Sequence, residues 1–527
     1  MSGDLRRFVF CFNQIPIFYS HTASVIEMVE LPPEIWLCII DSLSRGSAGV
    51  QRDHRTIYPR LLSVNPVFLD VGLNWQWDEV WLSTGIGSRS NTQLTMHDLK
   101  RLPDPFISKR LKRLTIEFRD NEPQPNAIST PQETGTSQEI PQVCANFPAP
   151  YGHLSSRGIL DCIIRALPQF QNIELIYLDW SMPSSYDDEQ KGIFRSFWSQ
   201  SPFVPNLKTL WLAGALKDHR TFIETMPQLP QLENVGFLFN DHYGQRDAPE
   251  VQDISIFTSH ILPYIEGISS NLRLLCVRCA TVTDCSPFFE NLPRLPALRE
   301  LYISMYWEYD WSLKDLAVLH SFLERCTETM QTLQFKVSGP YNVRQPADLA
   351  KRRRLDEFFF KLFTAKNPRL FRNLEDLMVM DHARMALTID IVVAILQKTR
   401  TTIRKLAINN PSFNSEELAQ VFDAAAKCQW LSDLRIYIDC FDWNFLDMLT
   451  RKLPSLQTVW ITKANVLPII NCERRPDGTI ASPPPADGPL KGWVYRDQWK
   501  LSYIHINETG GSLVLGNLRV TGRLANA

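Results

Sequence analysis

Leu207-Lys-Thr-Leu-Trp-Leu212 places apolar residues at its first, fourth and sixth positions, and this spacing returns along most of the chain. Upstream it appears as Leu111-Lys-Arg-Leu-Thr-Ile116 and Ile173-Glu-Leu-Ile-Tyr-Leu178. Downstream it appears as Leu232 to Phe237, Leu272 to Val277, Leu298 to Ile303, Met330 to Phe335, Leu374 to Val379, Ile403 to Ile408, Leu431 to Ile436 and Leu456 to Ile461. Leu501-Ser-Tyr-Ile-His-Ile506 extends the series by a possible further copy. The last three residues of each copy alternate as a strand does, with one side chain standing on the face opposite to its two apolar neighbours. Successive starts are 25 to 62 residues apart, a period typical of repeat architectures with insertions.

The intervals carry a second periodicity. Leu313 to Cys326, Thr388 to Lys398 and Asn414 to Cys428 repeat apolar residues three and four apart, which predicts amphipathic helices. Asn414 and Glu417 have the spacing of a capping box. Proline closes the helical stretch in Leu167-Pro-Gln-Phe170, Met226-Pro-Gln-Leu229, Leu292-Pro-Arg-Leu295 and Leu453-Pro-Ser-Leu456. Each unit therefore reads as strand, turn, helix and proline-marked return, and stacking such units builds an α/β fold with parallel strands inside and helices outside. The pattern resembles an irregular leucine-rich-repeat horseshoe over about residues 100 to 508, although the Asn or Cys that often follows the motif is mostly missing.

Composition fits that reading and narrows the function. The 527 residues carry 55 Lys and Arg against 57 Asp and Glu, so the net charge of -2 provides no field for gathering a polyanion, and nucleic acid is not an expected partner. Eleven cysteines without framework spacing suit a reducing compartment, cytoplasmic or nuclear. No uninterrupted apolar run reaches membrane-spanning length, so no membrane association is expected. Residues 120 to 150 and 473 to 492 are polar and rich in proline and read as loops without a core, while 1 to 29 and 509 to 527 read as tails.

Ahead of the repeats, Leu31-Pro-Pro-Glu-Ile-Trp-Leu-Cys-Ile-Ile-Asp-Ser-Leu43 starts a short helix at its prolines and lines up Ile35, Ile39, Ile40 and Leu43 as a stripe. After an insertion come Leu61-Leu-Ser-Val64, Phe68, Trp75 and Trp77. Residues 30 to 82 resemble an F-box, with a longer insertion than usual and Asn65-Pro66 in place of basic residues. The pairing with leucine-rich repeats resembles the large F-box families of filamentous fungi. That resemblance implies a substrate-recognition subunit of a Skp-cullin-F-box ubiquitin ligase. Leu31, Pro32, Ile35, Ile39, Ile40 and Leu43 would then contact a Skp-type adaptor, which joins the chain to a cullin and RING ligase. The same residues could instead form the core of a helical cap on the repeats, and the whole chain an interaction scaffold outside any ligase.

The side chain between the last two apolar positions of each copy forms one column: Thr115, Tyr177, Trp211, Gly236, Cys276, Tyr302, Gln334, Met378, Ala407, Arg435 and Trp460. It faces the concave surface, and Tyr177, Trp211, Tyr302, Arg435 and Trp460 are the residue types enriched where proteins bind proteins. They are the candidate substrate-binding residues.

No catalytic residue, cofactor or metal is expected. Cys276-Val-Arg-Cys279 has two-residue spacing but falls across a strand and lacks a second pair. Asp187-Asp-Glu189 reads as a solvated polar loop, and Lys351-Arg-Arg-Arg354 as the exposed first turn of a helix rather than a nuclear-import signal. An enzyme site assembled from several repeats would escape any local motif.

Overall fold

The computed structural model describes residues 70, 73–74, 77–83, 102–119, 156–181, 187–240, 253–280, 283–306, 313–326, 328–338, 346–364, 370–381, 388–440, 443–465, 503–508 and 511–516. The chain divides into two compact units, Met1–Asp78 and Glu79–Ala527. Of the first, the described residues are helical apart from Asp78, and Trp77 is buried. The adaptor-contact residues Leu31, Pro32, Ile35, Ile39, Ile40 and Leu43 lie outside the described residues, as do most of both proline-rich stretches and the tail 1–29.

The second unit is one sheet of 14 strands in strict chain order. They are β1 Glu79–Ser83, β2 Arg113–Arg119, β3 Leu175–Ser181, β4 Thr209–Gly214, β5 Asn234–Asn240, β6 Leu274–Ala280 and β7 Glu300–Tyr306. There follow β8 Thr332–Ser338, β9 Asp376–Asp381, β10 Lys405–Phe413, β11 Asp433–Cys440, β12 Thr458–Asn465, β13 Tyr503–Glu508 and β14 Gly511–Gly516. From β1 to β13 every pairing is parallel, and only β14 turns back antiparallel on β13. The helices between them are α1 Pro105–Ser108, α2 Ser156–Ala166, α3 Asp187–Ser199, α4 Leu216–Thr225, α5 Leu262–Ile268 and α6 Ser286–Asn291. After them come α7 Leu316–Cys326, α8 Pro346–Thr364, α9 Ile389–Thr399, α10 Ser415–Ala425 and α11 Trp443–Lys452. This is an α/β solenoid of the leucine-rich-repeat type.

Each strand from β2 to β13 begins at the third residue of its motif. In the first eleven copies all three apolar positions are at most 3% exposed, so the spacing marks burial throughout. The sheet also runs past both boundaries drawn from the sequence. Glu79–Ser83 falls in the stretch assigned to the F-box, yet Val80 and Leu82 are buried and pair with Leu114 and Ile116 of β2. Trp77, Val80 and Leu82 keep the motif spacing with a tryptophan in the leading place, and that tryptophan also suits the close of an F-box. At the far end β14 occupies the expected tail.

Two backbone devices join the repeats. The carbonyl of the second motif residue accepts from two consecutive N–H groups of the next unit: Glu174 and Leu175 donate to Lys112 at 2.8 and 3.1 Å. The chain of acceptors continues through Glu174, Lys208, Glu233, Arg273, Arg299, Gln331, Glu375, Arg404 and Ser432. Ion pairs lie along the same line, Lys208–Glu174 at 3.2 Å, Arg273–Glu233 at 3.3 Å and Arg404–Glu375 at 3.1 Å. These side chains are about half exposed and add little beside the backbone ladder. The second device is an asparagine immediately before the leading apolar residue: Asn172 Nδ2 donates to the Lys109 carbonyl, and Asn373 Nδ2 to the Glu328 carbonyl, both at 2.6 Å. Asn271 does the same to Pro230 at 3.4 Å. The asparagine sought after the motif stands before it instead.

The core lies between the strands and the helices. Trp180 of β3 meets Phe194 of α3 at 4.9 Å between ring centroids, Phe194 meets Phe222 of α4 at 4.7 Å, and Phe288 of α6 touches Phe237 and Phe239 of β5. Such edge-on aromatic contacts carry large buried area and fix the rings against one another. Asn414 caps α10 by accepting from the Glu416 and Glu417 amides, and the Glu417 carboxylate accepts from the Asn414 amide at 3.0 Å. Asp187-Asp-Glu189, expected in a loop, opens α3. Lys351–Arg354 sits inside α8, which starts five residues earlier at Pro346 rather than at the basic run.

Candidate target-binding face

Strand register turns the column read from the sequence into a physical row. Trp81 pairs with Thr115, Thr115 with Tyr177, Tyr177 with Trp211, Trp211 with Gly236, Gly236 with Cys276 and Cys276 with Tyr302. The row continues through Gln334, Met378, Ala407, Arg435, Trp460 and His505 with no slip. All eleven expected positions are on it, so Tyr177, Trp211, Tyr302, Arg435 and Trp460 share one face of one sheet. Each of these five is half-buried, whereas the neighbours before and after it in its strand are fully buried under the helices. The row belongs to the face opposite the helices.

The structure adds Trp81 at the first strand, 60% exposed and the most exposed large apolar side chain among the described residues. It was not among the sequence candidates because its strand lies in the stretch that resembles an F-box.

Trp211 does not stand straight out of the sheet. A Cβ placed on Gly236 would collide with Cε3, Cδ2 and Cζ3 of Trp211, so the indole lies across the neighbouring strand over the glycine. Gly236 is a seat that only a residue without a side chain provides. Gly236→Ala is expected to push the indole off the sheet and cost roughly 1–3 kcal/mol, as overpacked sites do. The check is a denaturation midpoint shift with a red-shifted tryptophan emission; unchanged emission would mean that the ring does not use this seat.

The residues two positions before the row give this face its charge. Tyr302 donates its hydroxyl to Glu300 Oε2 at 2.6 Å, which fixes the ring beside a carboxylate. Burial, then the hydrogen bond to Glu300, push the Tyr302 hydroxyl pKa upward. Asp376 stands in the same row as Glu300, one strand beyond the intervening Thr332. Burial raises its pKa most; Lys405 opposes the rise, while Asp433 and Glu300 add to it. Two positions after the row, Glu117 and Asp179 are register partners that are 8% and 7% exposed. Toward the other end, the Arg435 guanidinium carbon lies 5.7 Å from the centre of the Trp460 ring, within cation–π range. Burial lowers the Arg435 pKa.

Cys276 and Cys279 are three residues apart on β6, which directs them to opposite faces of the sheet. Cys279 is fully buried, and burial pushes the Cys276 thiol up to about 12, leaving it a poor nucleophile.

No protein-family model matches this sequence. No curated protein matches it either. Among solved structures, the chain is similar to one described as "Crystal structure of Rad7 and Elc1 complex in yeast", at 13% identity and a TM-score of 0.41, covering 73% of this chain and 78% of that one. A likeness so loose carries no argument about function.

Proposed function

We propose that this protein is a non-enzymatic receptor that captures a protein target on the open face of its sheet and presents it to a Skp-cullin-F-box ubiquitin ligase in the cytoplasm or nucleus. The observation that carries the target-binding part is the unbroken row from Trp81 to Trp460, in which aromatic, methionine and arginine side chains stand half-exposed on rigid strands. Such residues lose little conformational entropy when a partner covers them, and they provide the anchor types that dominate protein interfaces. The adaptor part is supported by the sequence Leu31–Leu43, whose apolar stripe is of the kind a partner helix covers.

The adaptor assignment is tested with Ile39→Asp combined with Leu43→Asp in the full chain. Two charges in an apolar contact are expected to abolish co-purification of a Skp-type adaptor, while the circular dichroism and melting of the repeat unit stay as in the wild type. Retained adaptor binding with normal folding would overturn the assignment of this stripe as the adaptor contact, and absence of adaptor from the wild-type complex would leave a scaffold outside any ligase.

A further inference from the structure

On the helical side of the solenoid, α7 and α8 border an open groove of about 670 Å3 that is chemically unlike the open face of the sheet. α8 is 19 residues long against 11 for α7, so the two pack along only part of their lengths. Ala317 and His320, one turn apart on α7, line one wall. Arg354, Glu357, Lys361 and Thr364 line the other, at spacings of three and four that make a single stripe along α8. Phe358, 5% exposed, is the apolar floor, and Lys314 closes the end nearest the start of α7.

The charges in this groove are not internally satisfied. Among the described residues, Lys314, Arg354 and Lys361 make no ion pair with any carboxylate, although Glu357 lies between the two α8 cations. The other carboxylate, Asp315, is already engaged in accepting from the Ala317 amide at 2.8 Å, where it caps α7. His320 Nδ1 is 3.8 Å from Glu324, too long for a hydrogen bond.

We propose that this groove is a binding site for a small organic phosphate, a phosphoryl dianion attached to a compact apolar body. Three cations without an ion-pair partner among the described residues exceed what one carboxylate ligand would engage, whereas a phosphoryl group offers several acceptor oxygens and close to two negative charges for charge-assisted bonds. The volume falls within the range of small-ligand sites, and the Phe358 and Ala317 surface suits the apolar part of such a ligand. A nucleic-acid chain fits poorly, because a protein of net charge -2 offers no extended cationic field for a polyanion. The site is independent of the target-binding face, and either could fail without the other.

The probe is phenyl phosphate titrated calorimetrically into the full chain, with inorganic phosphate and a phosphoserine peptide in parallel. Saturable binding of phenyl phosphate, tighter than that of inorganic phosphate, is expected. Arg354→Gln with Lys361→Gln, both exposed, should weaken it roughly tenfold or more, as loss of two charge-assisted contacts does. Glu357→Gln should tighten it about two- to fivefold by removing a repelling charge, a gain that misfolding cannot imitate. Arg353→Gln, outside the groove, should change nothing. Absence of saturable binding, affinity indifferent to the double substitution, or inorganic phosphate bound as tightly as phenyl phosphate would overturn the proposal. A phosphoserine peptide bound roughly a hundredfold tighter would overturn it in favour of a phosphorylated chain.

Discussion

Trp211→Ala together with Tyr302→Ala is expected to strip the co-purifying protein targets from the complex while the adaptor remains bound. The two residues lie on β4 and β7, three strand spacings or about 14 Å apart, so one partner surface can cover both. Truncating an interface anchor typically costs about 2 kcal/mol or more, a loss of affinity of roughly thirtyfold, and two anchors under one partner cost more. The geometry adds a stability component, because the indole rests on Gly236 and the phenol is tied to Glu300. Both side chains are half-buried on the open face, so the melting temperature should fall by a few degrees without loss of the cooperative transition. Target recovery by quantitative mass spectrometry beside a melting curve separates the two effects. An unchanged set of targets, with the expected small fall in melting temperature, would place the binding site elsewhere on the molecule.

Acid should destabilise the repeat unit well above the pH at which carboxylates protonate, and one buried histidine is responsible. His219 on α4 is completely buried among Phe222, Phe237 and Phe239, the nearest ring centroid 4.9 Å away. Its Nε2 lies 3.4 Å from the Leu238 carbonyl oxygen, while Nδ1 makes no hydrogen bond. Burial dominates over the backbone groups of Leu238 and Gly214, which favour the proton, and lowers the pKa from 6.5 to about 4. The folded protein therefore holds the neutral ring more firmly than the unfolded chain does. The stability this represents is fully present above pH 6.5 and is lost progressively as the pH falls toward about 4. At about 1.4 kcal/mol for each tenfold change in proton affinity, the loss is roughly 3 kcal/mol, a large fraction of the stability of a typical domain. His219→Met keeps an adaptable apolar side chain in the aromatic pocket and removes the proton site. Denaturant unfolding at a series of pH values should show a shallower decline for the variant than for the wild type between these limits. Parallel declines would mean that folding does not lower the proton affinity of His219.

The strand positions are legible in the sequence because the motif is local. A leading apolar residue, a gap of two and an alternating pair suffice to say where a strand begins and which side chains go under the helices. Trp211 and Tyr302 can be placed on one row from that pattern alone, since a parallel sheet of repeats keeps the same motif position in register. The helix start at Asn414 and the Pro-marked returns are legible for the same reason, as capping and proline chemistry act over three or four residues. Where one stretch supports two patterns the reading goes astray: Trp77 suits both the close of an F-box and the lead of a repeat, and only pairing with β2 makes Glu79–Ser83 a strand.

Contacts between units were decided by the tertiary structure. Nothing in Gly236 announces a seat for an indole 25 residues earlier, because that contact exists only once β4 and β5 lie side by side. Nor does His219 look different in sequence from the other nine histidines; its lowered pKa comes from three phenylalanines brought around it by α4 and β5. The cationic groove likewise depends on α8 outrunning α7, so that Arg354 and Lys361 face Ala317 across a gap. Alternation and capping are set by neighbours along the chain, and the sequence by itself determined them. Burial, proton affinity and the shape of a site depend on which distant residues exclude water, and that follows only from the stacking of the repeats.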